Sequence, residues 1–212
     1  MPPAPDAATI PDLMIVGIVL AAGASSRMGR PKALLPLGEE TFLSRVCRTL
    51  AEGGVDDVVV IAGPEAAEVE RTLAGAAVRA RVVENARRDQ GQLTSLQAGL
   101  AVADRPGVDA VLVHLVDVPL VAPRTVRAVV DAFRRTQAPI VRPSVEGRHG
   151  HPVLFGRPIF DELRAADPAL GAKVVVRAHA ADALDVAVDD AGACQDIDTP
   201  DDYERLIGPL PA

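Results

Sequence analysis

The sequence predicts a three-layer α/β/α, Rossmann-like domain around a mostly parallel sheet with some antiparallel strands, and three observations carry that expectation. Short apolar runs alternate with amphipathic stretches from residue 14 almost to the C-terminus, the order that lays a parallel sheet between helices. The first run, residues 14–21 (MIVGIVLA), is apolar throughout rather than at alternate positions, as a strand covered on both faces must be. A glycine-rich loop carrying basic residues follows it at once, at the carboxyl end of a strand, where ligands gather in such sheets.

The elements follow in order. Residues 41–51 predict a helix, with Phe42, Val46 and Leu50 four apart, Leu43 and Cys47 beside them, and Gly53-Gly54 as the stop. Residues 58–62 read as the next buried strand, 65–73 as a short helix ended by Gly75, and 81–84 as a third strand. Residues 93–103 are helical, with Leu93, Leu96 and Leu100 on one side. Residues 110–116 form the most apolar strand, with His114 read as core, and Asp117 follows directly. Pro123 opens a helix over 123–133, and 140–142 is a short strand. The segment GRHGHPVLF at 147–155 reads as loop then strand and breaks the alternation, which makes it the source of the antiparallel strands. Helices at 158–166 and 172–178, strands at 184–188 and 194–197, and a helix over 199–207 complete the chain. There are no repeats or low-complexity linkers, so a single domain is expected over 13–208 behind a disordered leader at 1–12.

Composition narrows the function. The 212 residues are 49% hydrophobic and 24% charged, with four Phe, one Tyr and no Trp. The core is therefore aliphatic, and stacking platforms for bases are lacking. The net charge of −7 and the absence of a basic run exclude a nucleic-acid partner. Cys47 and Cys194 have no spacing that suits a metal site; Cys47 falls on the apolar stripe of its helix. No apolar stretch reaches the ~20 residues that span a bilayer, and the N-terminus lacks a cationic start. The expectation is a cytoplasmic protein with no membrane partner. Of the 22 basic residues all are Arg except Lys32 and Lys173, which hints at places that need a compact ammonium.

The loop after the first strand is the first candidate site. Gly23, Ala24, Ser25 and Ser26 leave backbone N–H groups approachable to an anion, and Arg27 and Lys32 add positive charge. A P-loop is excluded, because five residues rather than four separate Gly23 from Gly29 and no Lys follows. Gly-x-Gly-x-x-Gly is absent as well. Asp117, at the end of a strand too apolar to solvate it, calls for a partner, and Mg²⁺ is the natural one where phosphates bind; capping of the following turn is the structural alternative. In the acidic C-terminal cluster, Thr199 is a helix cap, Pro200 opens the helix, and Asp201 and Asp202 fill its first turn. Asp196 and Asp198 would share one face of a strand. Asp198, nearer the strand end, is the second candidate metal ligand and Asp196 the reserve.

Five motifs in order carry a resemblance. LAAGASSRMGRPK at 20–32, GQLTSLQAGL at 91–100, Asp117-Val118-Pro119, Gly150-His151-Pro152-Val153-Leu154 and DIDTPDD at 196–202 resemble the molybdenum cofactor cytidylyltransferase family, within the wider superfamily of molybdopterin-guanine-dinucleotide-synthase-like nucleotidyltransferases. They span about residues 14–207. The resemblance implies a nucleotidyltransferase that moves CMP from CTP to the terminal phosphate of molybdopterin cofactor, releases pyrophosphate and uses Mg²⁺. It implies a nucleotide site made of Leu20, Ala21, Ala22, Gly23, Ser25, Ser26, Arg27, Lys32, Gly91, Gln92 and Ser95, with Lys32, Arg27 and Asp117 catalytic and Asp117 and Asp198 on the metal. A molybdenum hydroxylase is the implied recipient of the product. Ala22, where guanylyltransferases have Gly, favours CTP.

Other readings stand beside these. Thr94 or Ser95 could cap the helix that begins near them. His149 and His151 form an H-x-H pair without a third ligand, and His151 is the acceptor-side candidate. Lys173 departs from the Gly-Ala-Arg expected of the family, so acceptor contact and a plain helix-face charge both stand. The rival functions are a guanylyl- or sugar-phosphate nucleotidyltransferase and a non-catalytic cofactor carrier.

Overall fold

The computed structural model describes residues 12–76 and 78–210, so the expected leader, Asp12 apart, lies outside the described residues. Strands are β1 (Met14–Leu20), β2 (Pro36–Leu37), β3 (Glu40–Thr41), β4 (Asp57–Ala62), β5 (Arg81–Glu84), β6 (Val108–Leu115), β7 (Ile140–Val145), β8 (Arg148–His149), β9 (Val153–Gly156) and β10 (Leu184–Ala187). Helices are α1 (Phe42–Glu52), α2 (Ala66–Gly75), α3 (Gln92–Ala103), α4 (Pro123–Thr136), α5 (Phe160–Ala165), α6 (Lys173–Ala178) and α7 (Pro200–Leu206).

The main sheet runs β10-β7-β9-β6-β1-β4-β5, with β8 paired to β7. β5, β4, β1 and β6 are mutually parallel. β9 lies antiparallel between β6 and β7, and β10 runs parallel to β7. β1 is apolar throughout because alternate residues enter different cores: Ile15 and Val19 one, Val16, Ile18 and Leu20 the other. α3 lies hard against this strand at Gly99, where a Cβ would meet Ile18 Cγ2 at 2.6 Å. Cys47 is buried in the first core, and burial pushes its thiol pKa up to about 12. His114 is wholly buried.

Two helix starts, those of α1 and α7, follow local capping rules. The Thr41 hydroxyl accepts from Ser44 N–H at 3.2 Å while Ser44 Oγ accepts from Thr41 N–H at 2.9 Å. Thr199 and Asp202 form the same reciprocal box at α7. α4 has Pro123 at its start but is capped from a distance. Asp190 Oδ2 accepts from Ala122 N–H at 2.9 Å and from the Thr125 hydroxyl at 2.5 Å, and Asp190 is buried. Asp190→Ala should therefore destabilise the fold by about 1–3 kcal/mol through two orphaned donors. The check is a lower urea midpoint at unchanged slope; a midpoint equal to wild type would refute this anchoring.

Two expectations need correction. Residues 194–197 are not a strand: a 3-10 turn over Ala191–Cys194 runs into irregular backbone. Its backbone groups are satisfied by loops instead, with His151 N–H donating to Ala193 O and Ile197 N–H to Asp117 O, each at 2.8 Å. The apolar spacing there records two buried residues, Ala193 and Ile197, rather than a sheet face, so Asp196 and Asp198 share no strand. The helix at 158–166 is a 3-10 turn, Arg157–Ile159, followed by α5. Between β1 and α1, a 3-10 turn at Lys32–Leu34 and the β2–β3 hairpin add structure that apolar periodicity does not reveal.

Candidate active site

β1 and β6 are parallel neighbours, so the loop after Leu20 and the turn after Leu115 emerge side by side. This juxtaposition builds a cavity of about 410 Å³. Leu20, Ala21, Ala22, Gly23, Ser25, Ser26, Arg27, Lys32, Gln92, Ser95, Asp117 and Asp198 all line it. Gly91 does not. Its φ of +114° and the Pro168 carbonyl oxygen, 3.0 Å from where a Cβ would stand, explain a glycine at the start of α3. Neither Thr94 nor Ser95 caps α3, whose N-cap is Gly91.

The loop is organised around Ser25, which holds φ +49°, a conformation uncommon outside glycine. Its carbonyl accepts from Met28 and Gly29 N–H at 3.0 and 3.1 Å, and its hydroxyl accepts from Lys32 N–H at 3.1 Å. The hydroxyl contact fixes where Lys32 leaves the loop. The Lys32 ammonium, with its side chain 12% exposed, lies 2.9 Å from Asp117 Oδ2 and also contacts Asp198 Oδ1. Arg27 Nη2 reaches Asp198 Oδ2 at 2.8 Å from a side chain 69% exposed.

Burial works against the charge on Lys32, but hydrogen bonds to Asp198 and Asp117 outweigh it and raise the ammonium pKa. The Lys32 hydrogen bond, opposed by burial and aided by Arg27, holds Asp198 below the usual carboxylate range. Both carboxylates converge on one cation. Asp117 Oδ1 is buried with no hydrogen-bond partner among the described residues. An orphaned carboxylate oxygen beside a second carboxylate is a donor set that fits Mg²⁺, which takes few protein ligands when phosphates supply the rest. Asp196 is exposed and does not line the cavity. Of the two alternatives, Asp198 is the residue brought to Asp117.

A second cavity of about 260 Å³ adjoins the first and shares Leu20 and Gln92 with it. Its walls are mainly apolar, from Leu93, Leu96, Val153 and Phe155, and His151 and Lys173 are its polar side chains besides Gln92. The His151 ring meets His114 edge-on at 6.2 Å between centroids, and the Nδ1 atoms of both are buried with no hydrogen-bond partner among the described residues. His114 Nε2 donates to the Val118 carbonyl at 3.0 Å. Burial, with His151 alongside, pushes His114 down to about 3; burial also lowers His151, against the pull of Asp117. Both imidazoles are neutral at pH 7. His149 stands apart, 3.0 Å from Asp185 Oδ2 and exposed, so the H-x-H pair does not converge.

The structure adds Arg88 and Asp89 to the first cavity, on a 3-10 turn before α3. Their only trace in sequence is the charged run Arg87-Arg88-Asp89 ahead of Gly91. Asn85, buried behind this turn, left no recognisable signal.

Comparison with known proteins identifies this site's setting. Residues 17–183 match the MobA-like NTP transferase domain. The chain belongs to that family. Asp198 lies beyond the matched residues. The chain is 39% identical over 188 residues to 2-C-methyl-D-erythritol 4-phosphate cytidylyltransferase of Rhodococcus jostii (strain RHA1), covering 84% of this chain and 80% of that one. It is 35% identical over 133 residues to a probable molybdenum cofactor guanylyltransferase of Mycobacterium avium (strain 104), covering 62% and 64%. The crystal structure of Rv0371c from Mycobacterium tuberculosis H37Rv aligns with a TM-score of 0.79 at 32% identity, covering 92% of this chain and 97% of that one. Rv0371c is also known as a manganese complex. The protein is thus a nucleotidyltransferase of the MobA-like family, with the α/β fold of its structural neighbours. No helix among the described residues is long and apolar enough to cross a membrane.

Proposed function

We propose that this MobA-like nucleotidyltransferase transfers CMP from CTP to the terminal phosphate of molybdopterin cofactor. The observation that carries this reading is the adjacency of two unlike cavities that share Leu20 and Gln92 in their walls. A polar one under the glycine-rich loop holds Lys32, Arg27 and the two carboxylates, and an apolar one lies beside it across Leu20 and Gln92. The triphosphate occupies the first and the ring system of the acceptor the second. Apolar walls with only Gln92, His151 and Lys173 as polar side chains suit a flat heterocycle better than the polyol chain of a methylerythritol phosphate.

An oxygen of the acceptor phosphate attacks the α-phosphorus of CTP. The bond from that phosphorus to the oxygen bridging to the β-phosphate breaks, and pyrophosphate leaves. A phosphate monoester is largely dianionic at neutral pH, so no Ser, Cys or His nucleophile is required. The loop amides from Gly23 to Ser26 face the phosphates, Arg27 reaches them from the rim, and Lys32 exchanges its carboxylate partners for phosphate oxygens. Asp117 and Asp198 would hold Mg²⁺, which when bound would neutralise phosphate charge. His151, which lines the second cavity, offers a hydrogen bond to the acceptor. The same reading places the reaction in the cytoplasm and passes the product to a molybdenum hydroxylase.

The test is pyrophosphate release from the purified protein with Mg²⁺, molybdopterin cofactor and each nucleoside triphosphate in turn. CTP should give the fastest release. GTP as the better substrate would make the protein a guanylyltransferase, release only with methylerythritol phosphate would change the acceptor, and none with any pair would leave a carrier.

Ala22 supplies a sharper check on the base. It is buried in the cavity wall, and its methyl narrows the space beside the loop. Ala22→Gly should lower the CTP-to-GTP ratio of kcat/KM several-fold without inverting it, since lost methyl contacts are worth about 10–200-fold at most. An unchanged ratio from initial rates would place specificity elsewhere.

A further inference from the structure

We infer that Asn85 is a positioning residue for nucleobase recognition, acting by fixing the direction in which the Ser95 hydroxyl donates. The inference rests on the nucleotide occupying the cavity that Ser95 lines.

Asn85 follows β5, is only 5% exposed, and touches no part of that cavity. Its amide is fully used. Oδ1 accepts from the backbone N–H of Arg87 at 2.9 Å, and Nδ2 donates to Thr94 Oγ1 at 2.9 Å and to Ser95 Oγ at 3.0 Å. The orientation of the amide is not arbitrary. A backbone N–H can only donate, so the atom facing Arg87 must be the oxygen, and the two hydroxyls must face the nitrogen.

The consequences differ for the two hydroxyls. Thr94 donates its own proton to backbone carbonyls, at 2.8 Å to Gly91 and 3.0 Å to Arg87. It thereby ties α3 to the turn that carries Arg88 and Asp89. Ser95 receives from Asn85, and its own proton has no acceptor among the described residues. Ser95 is itself buried, 4% exposed, in the cavity wall. A hydroxyl that accepts one bond keeps its proton and one further lone pair, and a buried proton with no acceptor in the protein is available to a ligand. It therefore matches a ring nitrogen or keto oxygen on the base edge. Without Asn85 the hydroxyl would be free to rotate and accept instead.

Asn85→Asp tests direction rather than shape. The carboxylate keeps the size and the Arg87 contact but can only accept, so Ser95 must spend its proton on it. Equilibrium binding of CTP and of inorganic tripolyphosphate, each with Mg²⁺, separates this from added negative charge. CTP affinity should fall about tenfold, the scale of one hydrogen bond, while tripolyphosphate affinity changes less than about threefold. Equal losses for both ligands, or no loss for CTP, would overturn the inference. Ser95→Ala, which leaves Asn85 in place, carries the same test should Asn85→Asp fail to fold. It should show the same base-selective loss, and intact CTP binding would refute the role. GTP is measured alongside. If wild type binds GTP more tightly, the cytidylyl reading fails on its own, and Asn85 is judged by the same comparison with GTP.

Discussion

Asp117→Asn is expected to lower turnover by about a hundred- to a thousandfold while leaving the fold intact. The substitution keeps the size of the side chain and a partner for Lys32, but removes the negative charge just past β6 and the carboxylate oxygen that is buried with no partner among the described residues. Losing one preorganised electrostatic group at a transferring phosphoryl is worth about that much. Asp198→Asn should act the same way, because its carboxylate meets both Lys32 and Arg27. Steady-state pyrophosphate release, with circular dichroism to establish folding, decides the matter. Turnover within a few-fold of wild type in either folded variant would remove that residue from the metal site.

Lys32→Ala should cut kcat/KM for the triphosphate by about a hundredfold or more, and Lys32→Arg should recover only part of it. The ammonium fits between two carboxylates as a point charge, with its side chain 12% exposed. A planar guanidinium needs more room and a different donor geometry. The Ala variant offers a second readout. With no ammonium competing for Asp117 and Asp198, the nucleotide-free protein should bind Mn²⁺ more tightly than wild type, as followed by the loss of free-ion paramagnetic resonance signal. Full activity in Lys32→Arg would reduce the requirement to charge alone, and unchanged Mn²⁺ affinity in Lys32→Ala would show that the ammonium does not compete for that pair.

How much of the site could be read from sequence depended on chain distance. The loop residues from Leu20 to Lys32 were legible because they form one contiguous string after an unmistakable strand, and Asp117 because it directly follows the most apolar one. Asp198 ranks ahead of Asp196 in the sequence as the residue nearer a strand end, and Asp198 is the one that reaches the cavity, but the strand behind that ranking does not exist. Arg88, Asp89 and Asn85 were missed because a polar residue in a turn has no periodic signature, and its value depends on which cavity the turn faces.

The sequence by itself determined the alternation of strands and helices, the double-sided burial of β1, and the capped start of α7, because these depend on neighbours within about four residues. Its motifs also pointed to the nucleotidyltransferase family. Only the tertiary structure decided that β9 inserts antiparallel between β6 and β7, that Asp190 caps α4 from 65 residues away from Thr125, and that Lys32 meets Asp198 across 166 residues of chain. It also separated His149 from His151, placing one at an exposed sheet edge and the other in the groove. Contacts of that range are set by how layers pack and by which loops emerge at the same end of the sheet. Local propensity carries no information about either.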